Sequence, residues 1–249
     1  MNIVKDKLKA GHTVIGTAGN IGSEINFLAN AGYDFLQFDT QHTPVEIKAL
    51  APNLASMRGR DTIPIIRVGD NQQDQICYAL DIGAKGIVVP MVNSKEEAAH
   101  MVQCCKYPLA GIRSSSGPHG DWGKYDTYRD YMDAVNEQLL IIPMLETREA
   151  LNDIENILSV DGIDVLLVGP SDLSINLDVP LDYTSSTYQD ALKTIAAACA
   201  KKGVKPGMYF VPEGISPEQL IEWGFRYFTL PWVDWATKGI REGLDEINR

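Results

Sequence analysis

Short apolar runs alternate along this chain with longer segments whose apolar positions recur at helical spacing. The runs fall at 12–17 (HTVIGT), 34–39 (DFLQFD), 63–68 (IPIIRV) and 86–91 (GIVVPM). They continue at 139–145 (LLIIPML), 164–169 (DVLLVG), 204–210 (VKPGMYF) and 225–230 (FRYFTL). Helical patterns such as EEAAHMVQCC and EALNDIENIL lie between them. Eight such strand–helix units in a chain of about 250 residues are the arithmetic of an α/β fold, a (β/α)8 TIM barrel, with one domain over residues 1–249. A doubly wound open sheet is the competing layout. It normally carries a glycine-rich dinucleotide turn after its first strand, and GTAGNIGSE at 16–24 matches that turn only loosely.

Three junctions carry helix-start signals. Thr43-Pro44-Val45-Glu46 places Thr at the N-cap, Pro at the first helical position and Glu three residues on. Ser216-Pro217-Glu218-Gln219 repeats that order, and Ser94 with Glu97 makes a plain capping box. Each cap places the residues just upstream at the C-terminal end of a strand, where barrel enzymes build their sites. One long irregular stretch, RSSSGPHGDWGKYDTYRDY at 113–131, is a lid candidate.

Composition narrows the function classes. With 22 basic and 33 acidic side chains the net charge is −11, which opposes general binding to nucleic acid or an anionic membrane. Cysteines at 77, 104, 105 and 199 show no paired metal spacing, so reduced thiols and a cytoplasmic setting are expected. The start MNIVKDKLKAG lacks the long apolar core of a signal peptide, and no stretch approaches the roughly 18 apolar residues of a membrane span.

Polar residues gather at the same end of successive strands. The second run closes on Asp39, Gln41 and His42, and the third on Arg67; Glu146 follows the fifth. The segment GPSDLS, with Gly169, Ser171, Asp172 and Ser174, follows the sixth. A single such acid is explained by a helix N-terminus, but charges on four strand ends would be desolvated without return unless the rim has work to do. Glu146 and Asp172 suit a magnesium-type ion, which is often held by one or two carboxylates with waters and substrate oxygens completing the shell. Backbone N–H groups at the start of the helix after Gly169 would also cradle an anion. Arg67 is a candidate oxyanion donor, or simply a partner for Asp39 or Asp81. His42 is a candidate base oriented by a carboxylate.

On these residues the chain resembles the HpcH/HpaI class II aldolases, which act on pyruvate-derived 2-oxo acids. The similarity is densest in GYDFLQFDTQH, IPIIRV, DIGAKGIVVPMVNSKEEA, YPLAGIRS, ETREALNDIENILSVDGIDVLLVGPSDLS and KPGMYF. The resemblance implies a barrel whose last helix is exchanged between subunits, in a hexamer built as a trimer of dimers. It implies Glu146 and Asp172 as ligands of a divalent ion (Mg2+, Mn2+ or Co2+), with no organic cofactor. Arg67 matches the arginine that contacts the 2-oxo oxygen, and His42 with Asp81 matches a dyad that assists proton transfer. The amides of Ser171 and Asp172 match a carboxylate cradle. Chemically, a base removes the proton of the 4-hydroxyl, the C3–C4 bond breaks, and the pyruvate enolate is stabilised by the ion and Arg67. No Schiff-base lysine is required.

The chain departs from the pattern at four residues and in its GPHGDWGKY loop, which is unlike the common arginine-glycine version. The family usually reads Asp-x-Glu-His where this chain has Asp39-Thr40-Gln41-His42, and an amide cannot hold a negative charge. Met144 stands where a glutamine is usual. Ala18 and Tyr209 replace a tryptophan and a leucine on the aldehyde side, implying a reshaped pocket for a bulkier or aromatic partner. An oxaloacetate decarboxylase with the same metal-enolate site, and a non-catalytic paralogue, are the competing functions.

Overall fold

The computed structural model describes residues 1–19, 24–118 and 121–247. Eight parallel strands close on themselves in sequence order: β1 (Val14–Gly19), β2 (Phe35–Asp39), β3 (Ile63–Arg67), β4 (Gly86–Val89), β5 (Leu140–Leu145), β6 (Val165–Val168), β7 (Lys205–Met208) and β8 (Tyr227–Thr229). β8 returns to β1 through the register Val14↔Tyr227 and Gly16↔Thr229, which closes the barrel and excludes the open sheet. Residues 20–23 of the loose dinucleotide-like turn lie outside the described residues.

The helices are α1 (Ile3–Lys9), α2 (Ile25–Leu28), α3 (Ala51–Ser56), α4 (Gln73–Asp81), α5 (Lys95–Cys105) and α6 (Tyr128–Gln138). They continue with α7 (Arg148–Asn152), α8 (Ile154–Ile157), α9 (Pro170–Asn176), α10 (Ser186–Lys202), α11 (Pro217–Trp223) and α12 (Val233–Asp245). Among the described residues, no helix is long and apolar enough to cross a membrane.

Unbroken apolar runs form the strands because both faces are covered. In β3 and β5 every residue is buried. Alternate residues divide between two cores. Phe35, Ile63, Ile65, Val88, Leu140, Ile142, Val165, Leu167 and Tyr227 fill the barrel interior. Leu36, Ile66, Ile87, Ile141 and Leu166 pack outward against the helices. Gly16 must be glycine, because a Cβ there would stand 2.2 Å from the Phe35 ring. The space it leaves admits the stack of Phe35 on Tyr227, with centroids 4.3 Å apart.

The N-terminal end of the barrel is plugged. α1 contributes Val4 and Leu8 to the interior core, and Asn2 donates from Nδ2 to the carbonyls of Lys85 and Gln138, each at 2.9 Å. Lys5 Nζ donates to the Leu139 carbonyl at 2.9 Å. Only the other end of the strands is left to open on solvent, the end where barrel sites form.

Two of the three expected caps form. Ser94 Oγ accepts from the Glu97 N–H at 3.2 Å and Ser216 Oγ from the Gln219 N–H at 3.1 Å. The expected helix at Thr43 does not. The Thr43 hydroxyl instead donates to the Asp39 carbonyl at 2.6 Å, and the chain runs through bends to a 3-10 turn at Ile47–Leu50. The Thr43 oxygen accepts only the Val45 N–H, two residues on at 3.4 Å, a local turn rather than the bond three residues on that opens a helix.

Residues 119 and 120 of the lid candidate lie outside the described residues, and its described parts, 113–118 and 121–131, lie at the far end of the molecule from the strand tips. Trp122 is buried with Lys85 Nζ 5.4 Å from its ring centroid, and Asp121 accepts from the Gly59 N–H at 2.7 Å. Lys85 immediately precedes β4, so this segment covers the plugged end of its own barrel. Thr127 then caps α6 from the Asp130 N–H at 3.1 Å.

Candidate active site

Arg67 ends β3 and points inward above Ile65, in a place where an unpaired guanidinium would be costly. Asp39, its register partner on β2, answers it. Arg67 Nε donates to Asp39 Oδ1 at 2.8 Å and Nη2 to Oδ2 at 2.7 Å, a bidentate pair with only 4% and 16% of the two side chains exposed. The Tyr209 ring lies 4.2 Å from the guanidinium carbon. Nη1 meets only the soft sulfur of Met144, at 3.9 Å. Burial alone would push the Asp39 carboxyl up, but its Arg67 partner and the N–H groups of Gln41 and His42 hold it below its ordinary value. Arg67 is thus fixed on two sides, with one nitrogen free to donate into the mouth.

Glu146 follows β5 and is 2% exposed. Its Oε2 accepts from the Met91 N–H at 2.8 Å. Met91 holds φ 54°, a left-handed conformation that costs a non-glycine residue about 1 kcal/mol or more and turns that N–H toward the carboxylate. Burial pushes the Glu146 carboxyl up; the Met91 bond opposes this, the charge of Asp172 adds to it, and Arg67 and His42 oppose it. The Asp172 side chain is exposed in the first turn of α9. Gly169 packs against Glu146 so closely that a Cβ would stand 2.3 Å from its Oε1. Gly169→Ala is therefore expected to destabilise the fold by about 1–3 kcal/mol. It should also lower turnover roughly a hundredfold by displacing that carboxylate, read by urea unfolding and initial rates.

These residues fit a hard divalent ion. Among the described residues no group of three His, Cys, Asp or Glu could hold a metal, but magnesium-type ions need only one or two carboxylates. Two neighbouring carboxylates, one of them opposed by burial, form a donor set that a cation would relieve.

The other expected residues are distributed as follows. His42 is exposed on the loop after β2, near enough for its charge to act on Glu146. The Gln41 N–H donates to Asp39 Oδ1 at 2.9 Å, and its Oε1 is buried without a hydrogen-bond partner. Ser171 Oγ stands 3.4 Å from the Tyr183 hydroxyl, and the first turn of α9 leaves the amides of Ser171 and Asp172 without intrahelical acceptors. Asp81 is not brought to His42. It lies in the last turn of α4, at the plugged end, where Arg113 Nη2 donates to it at 3.0 Å and Ser116 Oγ at 3.2 Å. Sequence reasoning missed Met91, since nothing in an apolar side chain announces a backbone donor.

A closed barrel with two carboxylates, a clamped guanidinium and an imidazole at its open mouth defines a barrel enzyme for a small polar substrate. The chain belongs to the HpcH/HpaI aldolase/citrate lyase family, which matches residues 17–231, and it is a lyase of the aldolase type. It is 31% identical over 223 residues to a 4-hydroxy-2-oxo-heptane-1,7-dioate aldolase of Salmonella dublin, covering 88% of this chain and 84% of that one. An HpcH/HpaI aldolase/citrate lyase family protein of Burkholderia cenocepacia J2315 superposes with TM-score 0.84 at 27% identity, over 99% of both chains. The citrate synthase SbnG superposes with TM-score 0.81 at 26% identity, covering 97% of this chain and 96% of its own.

Proposed function

We propose that this aldolase is divalent-metal-dependent and reversibly cleaves a 4-hydroxy-2-oxo acid to pyruvate and an aldehyde. The observation that carries the reading is the pair of carboxylates, Glu146 and Asp172, at the same mouth as the clamped Arg67. Bound there, a magnesium, manganese or cobalt ion would supply Lewis-acid polarisation of the 2-oxo acid.

The chain's own residues do the rest. Nη1 of Arg67 donates to the 2-oxo oxygen as negative charge builds on it, and the Asp39 clamp and Tyr209 ring keep that donor from turning away. The amides of Ser171 and Asp172, beside Gly169, receive the substrate carboxylate. His42 takes the proton of the 4-hydroxyl; the C3–C4 electron pair moves to C3 to give the enolate, the aldehyde departs, and C3 is reprotonated. Gln41 and Met144 tune this site without charge. The decarboxylase alternative is not favoured, since the relatives that match most of the chain bear aldolase names.

A His42–Asp81 dyad needs a second copy of the chain, because one subunit holds the two at opposite ends. Assembly is also supported by α12. It buries none of its residues, and Val233, Trp235, Ile240 and Leu244 stand exposed along it. We read it as the helix exchanged between subunits of a cytoplasmic homo-oligomer, with a hexamer as the expected state. The four free cysteines suit a reducing compartment.

Two experiments test this. Deuterium uptake into the pyruvate methyl group should require a divalent ion and cease on chelation. Exchange that survives chelation would end the metal reading. Refolding His42→Ala and Asp81→Ala subunits together should restore about a quarter of wild-type turnover, the share of sites that draw an intact His and an intact Asp from different copies. A mixture as inactive as its components would end the shared dyad.

A further inference from the structure

Among the described residues two lysines are buried, both at the plugged end of the barrel, and the fold treats them differently. Lys5 is answered by a carboxylate, with Asp164 Oδ1 3.0 Å from its Nζ. Lys85, 7% exposed just before β4, has no such answer. Its Nζ donates to the Met1 carbonyl at 3.2 Å and lies 5.4 Å from the Trp122 ring centroid, and it enters no ion pair among the described residues. A buried ammonium without a counter-charge favours its neutral form, and burial does lower the Lys85 pKa, against the pull of Asp121.

The same lysine lines a cavity whose walls include Leu54, Met57, Arg58, Arg60 and Asp121. Its free space is about that of one water molecule, too tight for a phosphate or a sugar. Two of those walls carry positive charge that no carboxylate pairs with. Arg60 donates to neutral oxygens, the Ser56 carbonyl at 3.0 Å and the side chains of Asn30 and Asn26 at 2.9 and 2.6 Å. Arg58 is exposed and enters no ion pair among the described residues. Asp121, the acid in the wall, already accepts from the Gly59 N–H at 2.7 Å. A desolvated amine, room for a molecule of a few atoms and cations without counter-ions are together what a lysine needs to take up carbon dioxide.

We propose that Lys85 is a carbamylation site, with carbon dioxide as its co-reactant. The Nζ lone pair attacks the carbon, one C=O electron pair moves onto oxygen, and the proton displaced from Nζ passes to solvent. Nothing is oxidised or reduced. The product is a carbamate anion, and Arg58 and Arg60 supply its counter-charge. The modification turns an unpaired buried base into the partner of two guanidiniums, and so ties the loop before β3 to the start of β4. The site lies at the end of the barrel away from the mouth, so the proposal stands independently of the aldolase reading.

The test incubates the whole protein with isotope-labelled bicarbonate at mildly alkaline pH, traps carbamates with a trialkyloxonium reagent and maps them by peptide mass. Lys85 is expected to be the principal labelled lysine, and a carbamate carbon resonance should appear in the wild type. Lys85→Arg keeps the charge but offers no nucleophilic amine, so that resonance should vanish. Arg58→Ala, at an exposed position, should lower occupancy about threefold at fixed bicarbonate, the scale of one partly exposed ion pair. The melting temperature should rise with bicarbonate in the wild type and not in Lys85→Arg, because the folded state alone holds the carbamate. Lys85 labelled no more heavily than the exposed lysines would overturn the proposal, as would undiminished occupancy in Arg58→Ala. Should Lys85→Arg fail to fold, the trapping in wild type and in Arg58→Ala still decides.

Discussion

Glu146→Gln should lose divalent-ion binding and turnover while the apo protein becomes no less stable. The loss in kcat/KM is expected to reach roughly a thousandfold, the scale of deleting a principal electrostatic stabiliser of the transition state. Stability moves the other way for a physical reason. Glu146 is buried, and burial raises its carboxyl above the unfolded value. A carboxyl raised in the folded state binds its proton more tightly there, so stability from this group falls as the pH climbs through the carboxylate range. The amide keeps the shape and removes that penalty. Asp172→Ala, on an exposed side chain, should abolish activity with almost no change in unfolding midpoint. Calorimetric titration with manganese and urea unfolding of the apo forms decide the matter. An Asp172→Ala protein with wild-type ion affinity would remove this residue from the site.

Asp39→Ala should cost about 3–5 kcal/mol of stability, because it strands the buried guanidinium of Arg67 without its partner. In a chain of this size that lowers the melting temperature by roughly 10 °C. Activity should fall about a hundredfold or more as Arg67 loses its aim. The sign of the pH dependence follows from the depressed Asp39 carboxyl. Its contribution is fully present above the unfolded carboxylate pKa, near 4, and is lost as the pH drops through the lower folded value. Wild-type and Asp39→Ala stabilities should therefore converge in acid. Removing both charges, as Asp39→Ala with Arg67→Met, should cost less than Asp39→Ala alone. A double variant at least as unstable as the single one would mean that the pair is not the source of the penalty.

The barrel itself was legible in the chain, because a strand buried on both faces must be apolar throughout, and eight such runs punctuated by helix-period segments leave few other architectures. The positions of Asp39, Arg67, Glu146 and Asp172 were legible for the same reason: each stands where an apolar run stops. Local chemistry misled at Thr43, where a side chain had two uses. Thr43 looks like a cap, but its hydroxyl donates to the Asp39 carbonyl and accepts from the Val45 N–H, closing a local turn instead of a helix. Asp81, which the family resemblance pairs with His42, is carried by its helix to the plugged end of its own barrel, where Arg113 donates to it.

By itself, then, the sequence determined the strand–helix alternation, the family and the four charged residues at or just beyond the ends of its strands. These depend on residue type and spacing, which a linear chain displays. The tertiary structure alone decided which of those groups meet. It paired Asp39 with Arg67, aimed the Met91 N–H at Glu146 and pressed Gly169 against that carboxylate. Such contacts join residues far apart along the chain, and only closing the barrel brings their strands side by side.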